Sequence, residues 1–255
     1  MVKHSLQNPA TPNSVDPNDL PTSSFTLSAN EVHVWLAKLN DHQAERFRPL
    51  LAEDEIARAD RFHFAKDRNH FVVARGWLRT LLGKYLDVPA GELQLVYGEK
   101  GKPSLNASQA GAINFNLAHS HGHAIFAFSY VREIGVDLEF IRADVECEEI
   151  AERFFSPREI DELKGVSLEL RRQAFFNCWT RKEAYIKARG EGLSMPLNQF
   201  DVSLTPGEAV ALLRNDKEPD EVGRWSIQSL PAPDGYVAAL AIEGHNFDFK
   251  TFVLE

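Results

Sequence analysis

Cysteine is nearly missing from this chain: there are two in 255 residues, Cys147 and Cys178. Two thiols do not make a disulfide framework, and nothing about them points to an oxidising compartment. Cys178 lies in an apolar run and reads as a small buried residue. No stretch of about 20 apolar residues exists, so no membrane-spanning helix is expected. The N-terminus shows no basic-then-apolar signal pattern, and a cytoplasmic protein is the expectation. A basic excess is missing too. The net charge is −9, the wrong sign for a general nucleic-acid binder. What remains is ordinary globular composition, 44% hydrophobic and 25% charged. That suffices for one large domain or two small ones.

Residues 1–24 are rich in Pro, Asn, Ser, Thr and Asp, lack periodicity, and are expected to be disordered or loosely attached. Order should begin near Phe25, with a first strand through Val32, Val34 and Leu36. Arg48 to Ala59 reads as a helix start. His70 to Leu86 is the strongest helix of the first half, with Phe71, Ala74, Leu78, Leu81, Leu82 and Tyr85 at three- and four-residue steps. Short strands are expected at Leu93–Tyr97, Ile113–Asn116, Ala124–Tyr130 and Ile134–Phe140, with Leu117–Gly122 a polar loop. Helices follow at Cys147–Phe154, Pro157–Leu163 and Leu168–Arg189. The second of these has Ser156 and Pro157 as start signals, and the third stops at Gly190. From Phe200 onward the chain alternates as strands. The fold class is therefore α+β with antiparallel sheets. The order of strand, helices and strands occurs twice, which suggests two similar lobes, residues 25–130 and 131–255, with a site in the cleft between them.

Charge is uneven. Arg58, Arg61, Lys66, Arg68, Arg75, Arg79 and Lys84 form a basic run, whose bland reading is a solvated helix face. The chemically suggestive residues sit in two stretches. In Gly135-Val136-Asp137-Leu138-Glu139, a strand would project Asp137 and Glu139 to the same side. In Trp179-Thr180-Arg181-Lys182-Glu183-Ala184-Tyr185-Ile186-Lys187, a helix stacks Trp179, Glu183 and Lys187 at four-residue steps. Separately these are a solvated strand edge and a helix ion pair. Together, three carboxylates with lysines beside them suit a divalent ion holding a phosphate. Lacking His or Cys ligands, they fit Mg²⁺ better than zinc. His119, His121 and His123 alternate, but no Cys or acidic ligand lies among them to complete a transition-metal site; one of them could meet a phosphate. A triad of Ser120, His119 and Asp137 can be drawn, yet no Gly-x-Ser-x-Gly elbow supports it. The turn Glu99 to Pro103, with Lys100 and Lys102 around Gly101, can grip a phosphate or the edge of a base, or be an exposed hairpin.

These paired stretches resemble the signature of the 4′-phosphopantetheinyl transferases, in the larger two-lobed monomeric class called Sfp-type. Gly101-Lys102-Pro103, Phe115-Asn116, His119-Ser120 and Arg153-Phe154-Phe155-Ser156 follow in the family's order, and the resemblance spans roughly Arg58 to Phe200. It implies a fold of two α/β lobes related by pseudo-two-fold symmetry. It also implies transfer of phosphopantetheine from coenzyme A to a serine of an apo acyl or peptidyl carrier protein, releasing 3′,5′-ADP, with Mg²⁺. By motif match, Asp137, Glu139 and Glu183 would be the metal carboxylates. Glu183 would also be the general base, Lys187 would contact the transferring phosphate, and Asp137 would count with them as catalytic. Lys182 would serve the neighbouring phosphate, Gly101, Lys102 and Pro103 the adenine, and His119 with Arg58 the 3′-phosphate. Coenzyme A and a carrier protein are thus the expected partners, with no nucleic acid or membrane. The family often has Ser at position 118; with Ala118 a hydroxyl contact to substrate would be lost. Arg181 would add charge beside the site. Phe154, Phe155, Arg142, Arg153, Arg158 and residues 141–150 are candidate carrier-docking surface. Two other readings stay open on the residues alone: a Mg²⁺-dependent nuclease, and a non-catalytic module that binds coenzyme A or carrier proteins.

Overall fold

The computed structural model describes residues 13–15, 25–109, 111 and 113–254. The loosely attached segment expected at residues 1–24 lies outside the described residues, apart from 13–15. The first half runs β1 (Asn13–Val15), β2 (Glu31–Lys38), α1 (Ala44–Phe47), α2 (Glu53–Ala59), α3 (Ala65–Leu86), β3 (Leu95–Tyr97), β4 (Pro103–Leu105), β5 (Ile113–Ser120) and β6 (His123–Tyr130). The second runs β7 (Ile134–Phe140), α4 (Cys147–Phe154), α5 (Pro157–Gly165), α6 (Leu168–Arg189), β8 (Phe200–Val202), β9 (Leu212–Asn215), α7 (Glu221–Arg224), β10 (Trp225–Leu230), β11 (Tyr236–Glu243) and β12 (Asp248–Leu254).

Two sheets form the centre. The first has the order β1-β12-β2-β6-β5 and the second β10-β11-β7. Each strand sends alternate side chains to opposite faces, and the two faces have different work. From the first sheet, Trp35, Ala37, Phe126 and Phe128 pack against Leu78, Leu81 and Leu82 of α3. Val32, Val34, Ile125 and Ala127 point the other way and meet Val136, Leu138, Leu240 and Ile242 of the second sheet. Val237, Ala239 and Ala241 then pack against Phe175, Tyr185 and Ile186 of α6. The layers are helix, sheet, sheet, helix, and each outer helix is 22 residues long. No helix among the described residues is long and apolar enough to cross a membrane.

The α+β class stands, with one pairing that local pattern does not announce. The last strand, β12, leaves the second half and inserts in the first sheet, parallel to both β1 and β2. The expected division at residue 130 falls in the turn between β6 and β7, but β12 crosses back over it. Two local readings also change. Residues 48–50 are a short 3₁₀ turn, and the helix begins only at Glu53. The expected polar loop Leu117–Gly122 is strand nearly to its end: Ser120 pairs with His123 across a two-residue turn. His121 (φ 44°) and Gly122 (φ 85°) both take the left-handed conformation there, as a hairpin turn that matches strand twist requires.

The basic run does not form one solvated face. Arg79 is fully buried, its Nε donating to Glu55 Oε2 at 2.6 Å and its Nη1 to the carbonyls of Ala90 and Leu93. Arg75 is buried between the rings of Phe71 and Tyr97.

Helix α6 crosses β7 at Gly135. A Cβ there would sit inside the contact shells of the Ala184 carbonyl oxygen and the Ala188 amide nitrogen, both backbone atoms. Neither can rotate away, so the helix must lift. Gly135→Ala is expected to destabilise the protein by about 1–3 kcal/mol through this overpacking. Denaturant melts would show it; a variant as stable as the wild type would mean the helix does not rest on the strand.

Candidate active site

Between Ala174 and Ala188 every residue of α6 is buried except Trp179, Glu183 and Lys187. The helix is walled in on all sides but for the stripe that carries the suspected chemistry. Because Gly135, Asp137 and Glu139 share one face of β7, the contact at Gly135 brings that stripe beside the two strand carboxylates. Lys187 Nζ bonds Asp137 Oδ1 at 2.6 Å, with the lysine side chain 30% exposed and the aspartate 5%. Asp137 Oδ2 is buried and has no hydrogen-bond partner among the described residues.

Two of the three carboxylates are perturbed by their surroundings. Burial, then the Asp137 charge, pushes the Glu139 pKa up to about 7, against the pull of the Ser120 hydroxyl and Lys187. Burial, with Asp137 adding to it, also raises Glu183, while Lys187 opposes the shift. Lys187 is the counterpart: burial works against its charge, but Asp137, Glu183 and Glu139 outweigh it and raise its pKa. The cluster holds more negative charge than one lysine settles.

Lys187 also faces a second group. His119 points to the α3 side of β5, and its ring is open to solvent. The protein mass around it lowers its pKa, followed by the charges of Lys187, Arg75, His70 and Arg58. His70 and Arg75 were not singled out as site residues; they lie on α3 among core positions, and only the fold turns them toward His119. Arg75 Nη1 is buried 3.9 Å from Glu55 Oε1, with no hydrogen-bond partner among the described residues. Arg58 is exposed over the Phe71 ring. Tyr97, whose ring carries Arg75, pairs in register with Pro103, so the Gly101–Pro103 turn borders the same group of cations. Lys102 reaches across to the second half, bonding Glu133 Oε2 at 3.2 Å and the Ala188 carbonyl at 3.1 Å.

Lys182 is not part of this site. Its side chain is fully buried, with Nζ 2.8 Å from Glu159 Oε2 and bonded to the carbonyls of Leu197 and Phe200. Adjacent residues on a helix diverge by about 100°, so Lys182 and Glu183 cannot serve the same site. Arg181 is likewise buried, donating to the Ser203 carbonyl at 2.6 Å and to Ser229 Oγ; burial lowers its pKa to about 10. It adds no charge beside the carboxylates. Ala118 also turns away from the cleft: its methyl is buried in the cluster between the sheets, so the missing hydroxyl would have faced β7. Phe155 is buried in the second core and is no docking surface, whereas Phe154 lies edge-on to Trp179.

Comparison with known proteins gives the family. Residues 133–241 match the family described as the 4′-phosphopantetheinyl transferase superfamily, and residues 33–130 match the 4′-phosphopantetheinyl transferase N-terminal family. The 4′-phosphopantetheinyl transferase HetI of Nostoc sp. is 38% identical over 230 residues, covering 89% of this chain and 94% of its own. This chain belongs to the 4′-phosphopantetheinyl transferases. A putative phosphopantetheinyl transferase of Synechocystis sp. is 33% identical over 82% of this chain and 85% of its own. The phosphopantetheinyl transferase Sfp of Bacillus subtilis is 26% identical over 82% and 89%. Among solved structures, a holo-(acyl-carrier-protein) synthase from Bacillus anthracis in complex with CoA overlaps 44% of this chain and 94% of its own, at 17% identity and TM-score 0.36. That match is too distant to carry weight. As a member of this family the chain is an enzyme, a phosphopantetheinyl transferase.

Two outcomes check the geometry. Lys182→Met strands Glu159 in the interior and should cost about 3–5 kcal/mol of stability, read from urea melts; full stability with weakened catalysis would return Lys182 to the site. With divalent cations chelated, ionising Glu139 beside Asp137 costs stability. Its folded pKa lies above the ordinary value of 4.5, so the cost grows as pH rises from there and is complete above about 7. Glu139→Gln should therefore raise Tm at about pH 8 and leave it near the wild type at about pH 5. An equal shift at both would show that Glu139 does not titrate as described.

Proposed function

We propose that this phosphopantetheinyl transferase moves the 4′-phosphopantetheine group of coenzyme A to a serine hydroxyl of an apo carrier protein, releasing 3′,5′-ADP, with a divalent cation of the magnesium type. One observation carries the reading. Lys187 stands between a group of cations around His119 and a group of carboxylates, Asp137, Glu139 and Glu183. A ligand with several phosphates suits the first group, and the second would hold a divalent cation to offset pyrophosphate charge. The names of the relatives point the same way.

The carboxylates fit a divalent cation by their chemistry. The partnerless Oδ2 of Asp137 and the raised pKa of Glu139 are both relieved by positive charge. Among the described residues no group of three His, Cys, Asp or Glu side chains forms a ready metal cage, so water and substrate oxygens would complete the shell, as magnesium prefers. The bound ion would neutralise pyrophosphate charge as it grows. The rest is work for the chain. Arg58, His70, Arg75 and His119 hold the 3′-phosphate end, and the Gly101–Pro103 turn borders the adenine. Lys187 meets the phosphate that is transferred, where developing negative charge needs a fixed cation. Glu183 has no hydrogen-bond partner among the described residues, and its raised pKa suits it to accept the serine proton. The serine oxygen then bonds to phosphorus as the bond to 3′,5′-ADP breaks. The two helix-and-sheet layers are the lobes of this reading, with the β6–β7 turn as their border and β12 returned to the first.

The test is to mix protein, apo carrier, coenzyme A and Mg²⁺ and weigh the carrier. It should gain one phosphopantetheine. Asp137→Ala should slow the gain on the order of a hundredfold with the fold intact by circular dichroism. An unmodified carrier across several carrier types would overturn the proposal, and unchanged turnover in Asp137→Ala would remove that residue from the site.

A further inference from the structure

We propose that Ser120 is a positioning residue that holds Glu139 in place through the seam between the two sheets; this rests on the transferase reading above. β5 and β7 are edge strands of different sheets. The open edge of β7 presents backbone N–H groups that need partners. Side chains of β5 supply them. Asn116 Oδ1 accepts the N–H of Val136 at 2.9 Å, and Ser120 Oγ accepts the N–H of Phe140 at 3.3 Å. The donors and acceptors are each four residues apart, so the strands run side by side in register. Ala118 stands between Asn116 and Ser120 on the same face, with its methyl in the apolar cluster that includes Leu138.

The outer rung does more than the inner one. A serine hydroxyl has a single proton and two lone pairs. The Phe140 N–H can only donate, so the Ser120 proton is left for an acceptor, and Glu139 Oε2 lies 3.1 Å away. His121 Nδ1 lies 3.2 Å from the same oxygen. The chain runs from backbone amide to hydroxyl and from hydroxyl to carboxylate. Glutamate has three side-chain torsions, and ordering them costs entropy. Asp137 is held from α6 by Lys187. Glu139 is held from β5, on the other half of the molecule, by Ser120. Each strand carboxylate is thus fixed from a different element, and the position of Glu139 depends on the seam being closed. Outer partners of this kind commonly set how well a metal-binding carboxylate works.

The test compares Ser120→Ala, Ser120→Thr and Asn116→Ala with the wild type in two measurements. One is calorimetric titration of Mg²⁺ into protein saturated with coenzyme A. The other is kcat and KM for carrier modification. Ser120→Ala should weaken Mg²⁺ binding about tenfold or more and lower kcat, with little change in the KM for coenzyme A. Ser120→Thr, which keeps the hydroxyl, should restore both. Asn116→Ala breaks the inner rung without touching Glu139; it should lower Tm and leave Mg²⁺ affinity unchanged. Wild-type Mg²⁺ affinity in Ser120→Ala would overturn the proposal. So would an equal loss of affinity in Asn116→Ala, which would make Ser120 merely a part of the seam. A wild-type protein that modifies no carrier takes down the transferase reading itself, and this proposal with it.

Discussion

Helix α6 lies against β7 at a separation that only a residue without a Cβ permits, and Gly135 is that residue. The contact sets the height of the helix over the strand. Asp137 and Glu139 follow Gly135 at two-residue steps on the same face, and Glu183 and Lys187 come down on them from the helix. The geometry is over-determined from below as well. Val136 and Leu138 point the opposite way into the apolar layer between the sheets, so the strand cannot roll without tearing that layer open. A rigid strand pinned on both faces is the platform that a charged cluster needs if its members are to stay close despite mutual repulsion.

That repulsion is the other half of the design. Three carboxylates around one lysine form a site whose charges are not balanced from within. Elsewhere the same helix shows how the chain treats a charge it means to balance. Lys182 has Glu159 and two carbonyls around it, with no water access. Arg79, on the opposite outer helix, has Glu55 and two more carbonyls. These two balanced charges are buried completely and fasten the fold, whereas the unbalanced carboxylates line the cleft.

Much of this was legible in the sequence, and the parts that were not share a cause. The outer helices and β7 could be read because their periodicity is local: α6 spans 168–189 and β7 spans 134–140, as their patterns indicate. Spacing pairs Asp137 with Glu139 on the strand and Glu183 with Lys187 on the helix, and the family resemblance joins the two pairs. Lys182 and Arg181 went astray because motif adjacency was taken for spatial adjacency, which a helix denies to neighbours in sequence. The early turns of α3 were missed because residues 66–69 are polar and its N-cap, Phe64, offers no side-chain bond. The histidine hairpin looked like a loop because polar residues occupy a strand end that faces a cleft. His70 and Arg75 carry no local mark at all. Their place beside His119 exists only once α3 is laid on the first sheet.

The position of β12 bears on how the molecule is made. It sits between β1 and β2, yet almost the whole length of the chain separates it from β2. The first sheet therefore cannot be finished during synthesis until residues 248–254 have left the ribosome. Until then β2 has an open edge, and Trp35 lacks the Phe252 ring that stacks on it 4.2 Å away. Pairing strands so distant in sequence is slow, because a long loop must close before any contact rewards it. The first sheet is thus completed last, by the final strand, and the edge of β2 stays exposed until that strand arrives.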